Sequence, residues 1–192
     1  YTFLVSLITV LLATSYKQID RLMFLFSLLT LIAILKGFWQ KFIGFDAIEY
    51  DALMESGMYK THLLPQITRY FSIFTDAGNY GSNMGFTCVL FGITGLFSKK
   101  PGLKTYYLCV SALSLYSMFT TGTRGAIVVP LGGLLLFALI SKNIRLMSAA
   151  TVGGICIYVF FAFTYAGESN YMIRRMRTAF RPNKDASYLV RK

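Results

Sequence analysis

The sequence predicts an all-α, polytopic membrane protein with about six transmembrane helices, on three observations. Of its 192 residues 55% are hydrophobic and only 14% charged, where an average soluble domain carries about 25% charged residues. Mean hydropathy is +0.56. Apolar runs close to the ~20 residues needed to cross a bilayer recur along the whole chain. These features exclude a disordered chain, which needs low hydrophobicity and high charge. The three cysteines, Cys88, Cys109 and Cys156, each sit inside an apolar run, so a secreted disulfide scaffold is excluded as well.

The expected spans are roughly 1–16, 22–40, 79–97, 105–121, 125–140 and 146–166, in a single helical membrane domain over 1–192. The first run begins at Tyr1 without a basic leader, and the sequence reads as a piece of a longer polytopic chain. Between the first two runs lies Lys17-Gln-Ile-Asp-Arg21. A long polar stretch, 41–78, follows the second. Phe42, Phe45, Ile48 and Ala52 recur there at helical spacing among Asp46, Glu49, Asp51 and Glu55, which fits either a short helix on the membrane surface or a solvated loop. A lone histidine, His62, sits in this stretch and reads as a solvated loop side chain. A stripe of small residues runs along the helix around the 79–97 span: Gly78, Gly81, Gly85, Cys88, Gly92 and Gly95. Glycine is costly inside a helix, and the stripe is expected to be a close-packing seam against another helix. Asp76 and Asn79 either cap the start of this helix or line a cavity.

The short loops set the orientation. Lys17/Arg21, Lys99/Lys100/Lys104 and Lys142/Arg145 fall on one side if all six runs cross, and short basic loops face the cytoplasm. The stretch 41–78, the 121–125 turn and the basic segment 167–192 then lie outside. The excess of Lys+Arg, 19 against 8 acidic residues for a net +11, lies between apolar runs. It therefore points to orientation and to anionic, lipid-like ligands rather than to nucleic acid.

Outer arginines are the chemical signal. Arg124 sits in Thr120-Thr-Gly-Thr-Arg-Gly-Ala126, between two apolar runs. It is either an anchor that snorkels to the interface or part of a polar turn suited to an anion. Arg174, Arg177 and Arg181 are spaced to share one helical face. They either touch lipid headgroups or hold an anion, since guanidinium forks match phosphate oxygens. The residues present no metal-ligand cluster, no Ser-His-Asp arrangement and no nucleotide-type phosphate loop.

Three segments together resemble the O-antigen ligase/polymerase family of bacterial envelope enzymes. They are Arg69-Tyr-Phe-Ser-Ile-Phe-Thr-Asp-Ala-Gly-Asn-Tyr-Gly81, Phe119-Thr-Thr-Gly-Thr-Arg-Gly-Ala126, and Arg177-Thr-Ala-Phe-Arg-Pro-Asn-Lys-Asp-Ala-Ser-Tyr-Leu-Val-Arg191. The resemblance implies a multi-pass protein of the bacterial inner membrane. It would be a metal-independent glycosyltransferase without cofactor, moving a glycan from a polyprenyl-diphosphate carrier to a hydroxyl of the lipid A core, a growing polysaccharide or a protein. By position in the family pattern, Arg124, Arg191, Arg177 and Arg69 are the expected diphosphate contacts. The family's ligases use an extracytoplasmic histidine in a large loop farther along. His62 does not match that position, and the base is expected beyond Lys192. A transporter of a lipid-linked or anionic solute, and a structural subunit binding anionic lipid, are the competing expectations; no inverted repeat supports the transporter.

Overall fold

The computed structural model describes residues 15–64 and 67–141, together with positions 148, 151, 152, 155, 159, 163, 164, 174 and 177. The fold is all-α, with one pair of two-residue strands among the described residues. Helix α1 (Tyr16–Phe42) opens at Ser15, whose N–H donates to Gln18 Oε1 at 3.2 Å. Helix α2 (Ala47–Glu55) opens at Asp46, whose N–H donates to Glu49 Oε2 at 3.0 Å. A single turn, α3 (Tyr59–His62), leads into β1 (Leu63–Leu64). This strand pairs antiparallel with β2 (Ile67–Thr68), Leu63 facing Thr68. Helix α4 (Ala77–Phe97) and helix α5 (Pro101–Thr120) form a tight hairpin. A 3-10 turn over Arg124–Ile127 then leads into α6 (Val128–Ser141).

The glycine stripe is the seam of that hairpin. A Cβ added at Gly95 would lie 3.0 Å from Leu108 Cγ, and one at Gly92 would lie 3.1 Å from Ser111 Oγ. At Gly85 the neighbours are Pro130 Cδ at 3.0 Å, the Ala126 carbonyl oxygen at 3.2 Å and Met118 Sδ at 3.3 Å. At Gly81 Thr121 Oγ1 is 2.7 Å away. Partners rise in number as the glycines fall, which is the antiparallel register. Two adjoining apolar clusters complete the core. One gathers Ala33, Ile34, Tyr80, Met84, Met118 and Ala126; the other gathers Phe91, Tyr107 and Val110.

Among the described residues two helices are long and apolar enough to cross a membrane: Lys17–Phe42, and Arg124–Ser141 with the 3-10 turn counted in. At 1.5 Å per residue, with about 2 Å in the 3-10 part, the second reaches about 29 Å, close to a bilayer's hydrocarbon thickness. Both keep large apolar side chains on the outside, among them Leu35 and Ile140. Helices α4 and α5 match a membrane in length, but Asn79, Asn83, their glycines and hydroxyls dilute their hydropathy. Here the six-span expectation meets two helices that satisfy both length and hydropathy. Residues 1–14 of the first run lie outside the described residues, and its last residue, Tyr16, is the first of α1. Most of 146–166 also lies outside them; within it Val152, Ile155, Val159 and Phe163 are helical and exposed.

Candidate functional site

The described residues between α1 and α4 are folded onto one end of the helices, and Gln40 is the hub. Its side chain is 1% exposed. Gln40 Oε1 accepts from the N–H groups of Ser72 (2.8 Å) and Phe71 (3.2 Å), and Nε2 donates to the Ser72 carbonyl (3.1 Å) and Glu49 Oε1 (3.0 Å). Ser72 is left-handed, at φ +54°, an unfavourable conformation for a residue with a Cβ. It is held there because its N–H and C=O bond Gln40 while its hydroxyl donates to the Ala33 carbonyl at 2.5 Å. Lys36 adds ion pairs to Asp46 and to Glu49, the latter at 2.9 Å. Of the two readings left open for this stretch, helix or loop, a helix is present at Ala47–Glu55, with Ile48 exposed on it.

The Thr-Gly-Thr-Arg turn sits at the same end. Helix α5 ends at Thr120 with Thr121 capping it, and Gly122 follows at φ +60°, the left-handed step that glycine takes at low cost. Each threonine hydroxyl is engaged by a carbonyl. Thr120 donates to Ser117 (2.7 Å), Thr121 to Met118 (2.8 Å) and Thr123 to Ala77 (3.0 Å). The sequence suggests these hydroxyls as anion ligands; the structure uses their protons to fix the turn. Arg124 follows, half-exposed, as the first residue of the 3-10 turn.

Arg69 locks the two halves together. Its Nη2 donates to Thr123 Oγ1 at 2.9 Å, its Nε to the Thr121 carbonyl at 3.3 Å, and its Nη1 to the Thr61 carbonyl at 3.5 Å. The guanidinium braces the turn that presents Arg124.

His62 departs from its reading as a solvated side chain: it is 3% exposed. Its Nε2 accepts the Ala77 N–H at 3.3 Å, which requires the Nδ1–H tautomer, and Nδ1 lies 3.1 Å from the Met58 carbonyl. Burial lowers its pKa, the Met58 carbonyl opposes that, the Arg69 charge lowers it further, and the Asp76 carboxylate opposes. Next to it Asp76 caps α4, accepting from the Asn79 N–H at 3.0 Å and from the Gly78 N–H. No local sequence signal marks His62, since its partner lies fifteen residues downstream.

The remaining arginines divide. Arg174 and Arg177 both lie on helical backbone, yet Arg174 is exposed and Arg177 is 3% exposed, so the two do not share one surroundings. Arg181 and Arg191 lie outside the described residues. Among the described residues no three His, Cys, Asp or Glu side chains form a metal-binding group. Compared with known protein families, curated proteins and solved structures, the chain finds no match.

Proposed function

We propose that this chain belongs to a multi-pass glycan ligase or polymerase of the bacterial inner membrane, with six crossings in 1–192. In this reading the end bearing Gln40, Arg69 and Arg124 faces outward. Its donor is a polyprenyl-diphosphate-linked glycan, and its acceptor is a hydroxyl of the lipid A core or of a growing polysaccharide. The observation that carries the reading is the braced turn: Arg69 and three engaged threonines hold Arg124 at the mouth of the helices. The resemblance of the three arginine-bearing segments supplies the chemistry.

The acceptor hydroxyl oxygen attacks the anomeric carbon while its proton passes to a general base and the carbon–oxygen bond to the diphosphate breaks. Negative charge grows on the departing oxygen. A guanidinium already in place stabilises that charge without reorganising, and more strongly in a site with little water. Arg124 and Arg191 are the direct contacts in this scheme, with Arg177 beside them. Arg69 acts through the turn.

The test is Arg124→Lys in the full-length protein, expressed in a deletion strain. A snorkelling anchor tolerates lysine, whereas a forked phosphate ligand does not. The expected result is normal membrane abundance with glycan transfer reduced by roughly 10²–10³. Near-parental transfer overturns the assignment.

A further inference from the structure

At the end of the bundle opposite Arg124, the start of α1, the end of α4 and the start of α5 surround an open cleft of about 660 Å³. Three cations line it, Arg21, Lys99 and Lys100, against one carboxylate, Asp20. Arg21 lies in the first turns of α1, where the sequence suggests a loop, and Lys99 and Lys100 in the loop between α4 and α5; the fold brings these distant segments together. None of their side chains makes a hydrogen bond or ion pair with a described residue. Lys36, at the other end, by contrast has two carboxylates. Like charges gathered in this way repel unless an anion joins them. Helix α5 adds its positive end, since Lys100 provides no side-chain cap to its first turn. The cleft is not purely polar. Phe24 and Phe97 also line it and are 42% and 65% exposed, which a small hydrated anion does not require.

We infer that this cleft takes the headgroup of an anionic phospholipid, its phosphate among Arg21, Lys99 and Lys100 and its acyl chains along Phe24 and Phe97. Basic pockets between membrane helices recognise acidic headgroups through these same forces. The inference rests on the membrane embedding proposed above and not on the glycan chemistry.

The experiment uses the purified full-length protein in neutral detergent, with its melting temperature followed during three titrations. The ligands are phosphatidylglycerol, phosphatidylcholine and glycerol phosphate. Phosphatidylglycerol should raise the melting temperature in a saturable way, and the other two should not. Each basic residue near an acidic headgroup contributes about fivefold in affinity, so Lys99→Gln/Lys100→Gln should weaken binding about 25-fold. Arg21→Gln, a single change on another helix, should weaken it about fivefold and serves if the double variant does not fold. An equal shift from phosphatidylcholine, an equal shift from glycerol phosphate, or unchanged affinity in the variants overturns the proposal. Arg124→Lys should leave the titration unchanged, and Lys99→Gln/Lys100→Gln should leave glycan transfer unchanged, so the two proposals fail separately. A chain that does not sediment with membranes overturns the embedding beneath both.

Discussion

Arg69 Nη2 donates to Thr123 Oγ1 at 2.9 Å across 54 residues of sequence. The same hydroxyl donates to the Ala77 carbonyl at 3.0 Å. One threonine thus joins the loop ahead of α4, the start of α4 and the turn after α5.

Thr123→Val keeps the shape and removes both bonds. It leaves the Ala77 carbonyl and one Arg69 N–H without this partner, and an unmet buried group costs about 1–3 kcal/mol. The variant should melt lower than the parent and lose glycan transfer, with Arg124 itself intact. Arg69→Lys should behave alike, because one ammonium cannot span Thr61, Thr121 and Thr123. Unchanged melting in both variants would remove the brace from the scheme.

The glycines differ in what they tolerate. Gly85 faces Pro130, the Ala126 backbone and Met118 at once, whereas nothing lies within 4 Å of a Cβ at Gly132. Gly85→Leu should cost roughly 1–3 kcal/mol through overpacking. Gly132→Ala should be neutral or stabilising by up to about 1 kcal/mol, the helix-propensity difference. Thermal melting of the two purified variants decides this, and equal melting would mean that the seam is not tight.

The protonation of His62 gives a pH dependence. Its folded pKa lies below the ordinary 6.5, so the unfolded chain binds the proton more readily. Stability is complete above about pH 6.5 and declines as pH falls toward the depressed folded value. Protonation also places a hydrogen on Nε2, where the Ala77 N–H now points. The melting temperature should fall between pH 7.5 and 5.5, and fall less in His62→Gln. Parallel slopes for parent and variant would exclude His62 as the cause.

Sidedness is read with an impermeant thiol reagent on intact cells, in a background with Cys88, Cys109 and Cys156 replaced by serine. Ile48→Cys should label and Gly102→Cys should not. Both positions are exposed, so access differs only by side. Labelling at 102 alone would invert the outward orientation of Arg124.

The apolar runs made α1, α4, α5 and α6 legible in the sequence, because length and hydropathy act locally. The glycine stripe and the Asp76 cap were legible for the same reason: a spacing of three and four, and an acidic residue one step before a helix. Gln40, Ser72 and His62 were not legible. Their partners are backbone groups fifteen to forty residues away, and a backbone amide has no residue type to betray it. The threonines were visible as hydroxyls; Thr120 and Thr121 bond carbonyls three residues back in α5, whereas the Ala77 carbonyl that Thr123 meets is set by how α4 packs on α5. The cleft lined by Arg21, Lys99 and Lys100 was visible only as two basic loops expected on one side.

The brace of Arg69 also sets an order of assembly. The Thr121 carbonyl that it binds is made 52 residues later. At about 5–20 residues per second of synthesis, Arg69 waits roughly 3–10 seconds for that partner. Gln40, by contrast, is made before the loop that it organises, so the loop can settle on α1 as soon as it emerges. The turn carrying Arg124 is therefore fastened only after α5 has been made, and a ribosome that stalls within α5 leaves a chain without the partners that Arg69 needs.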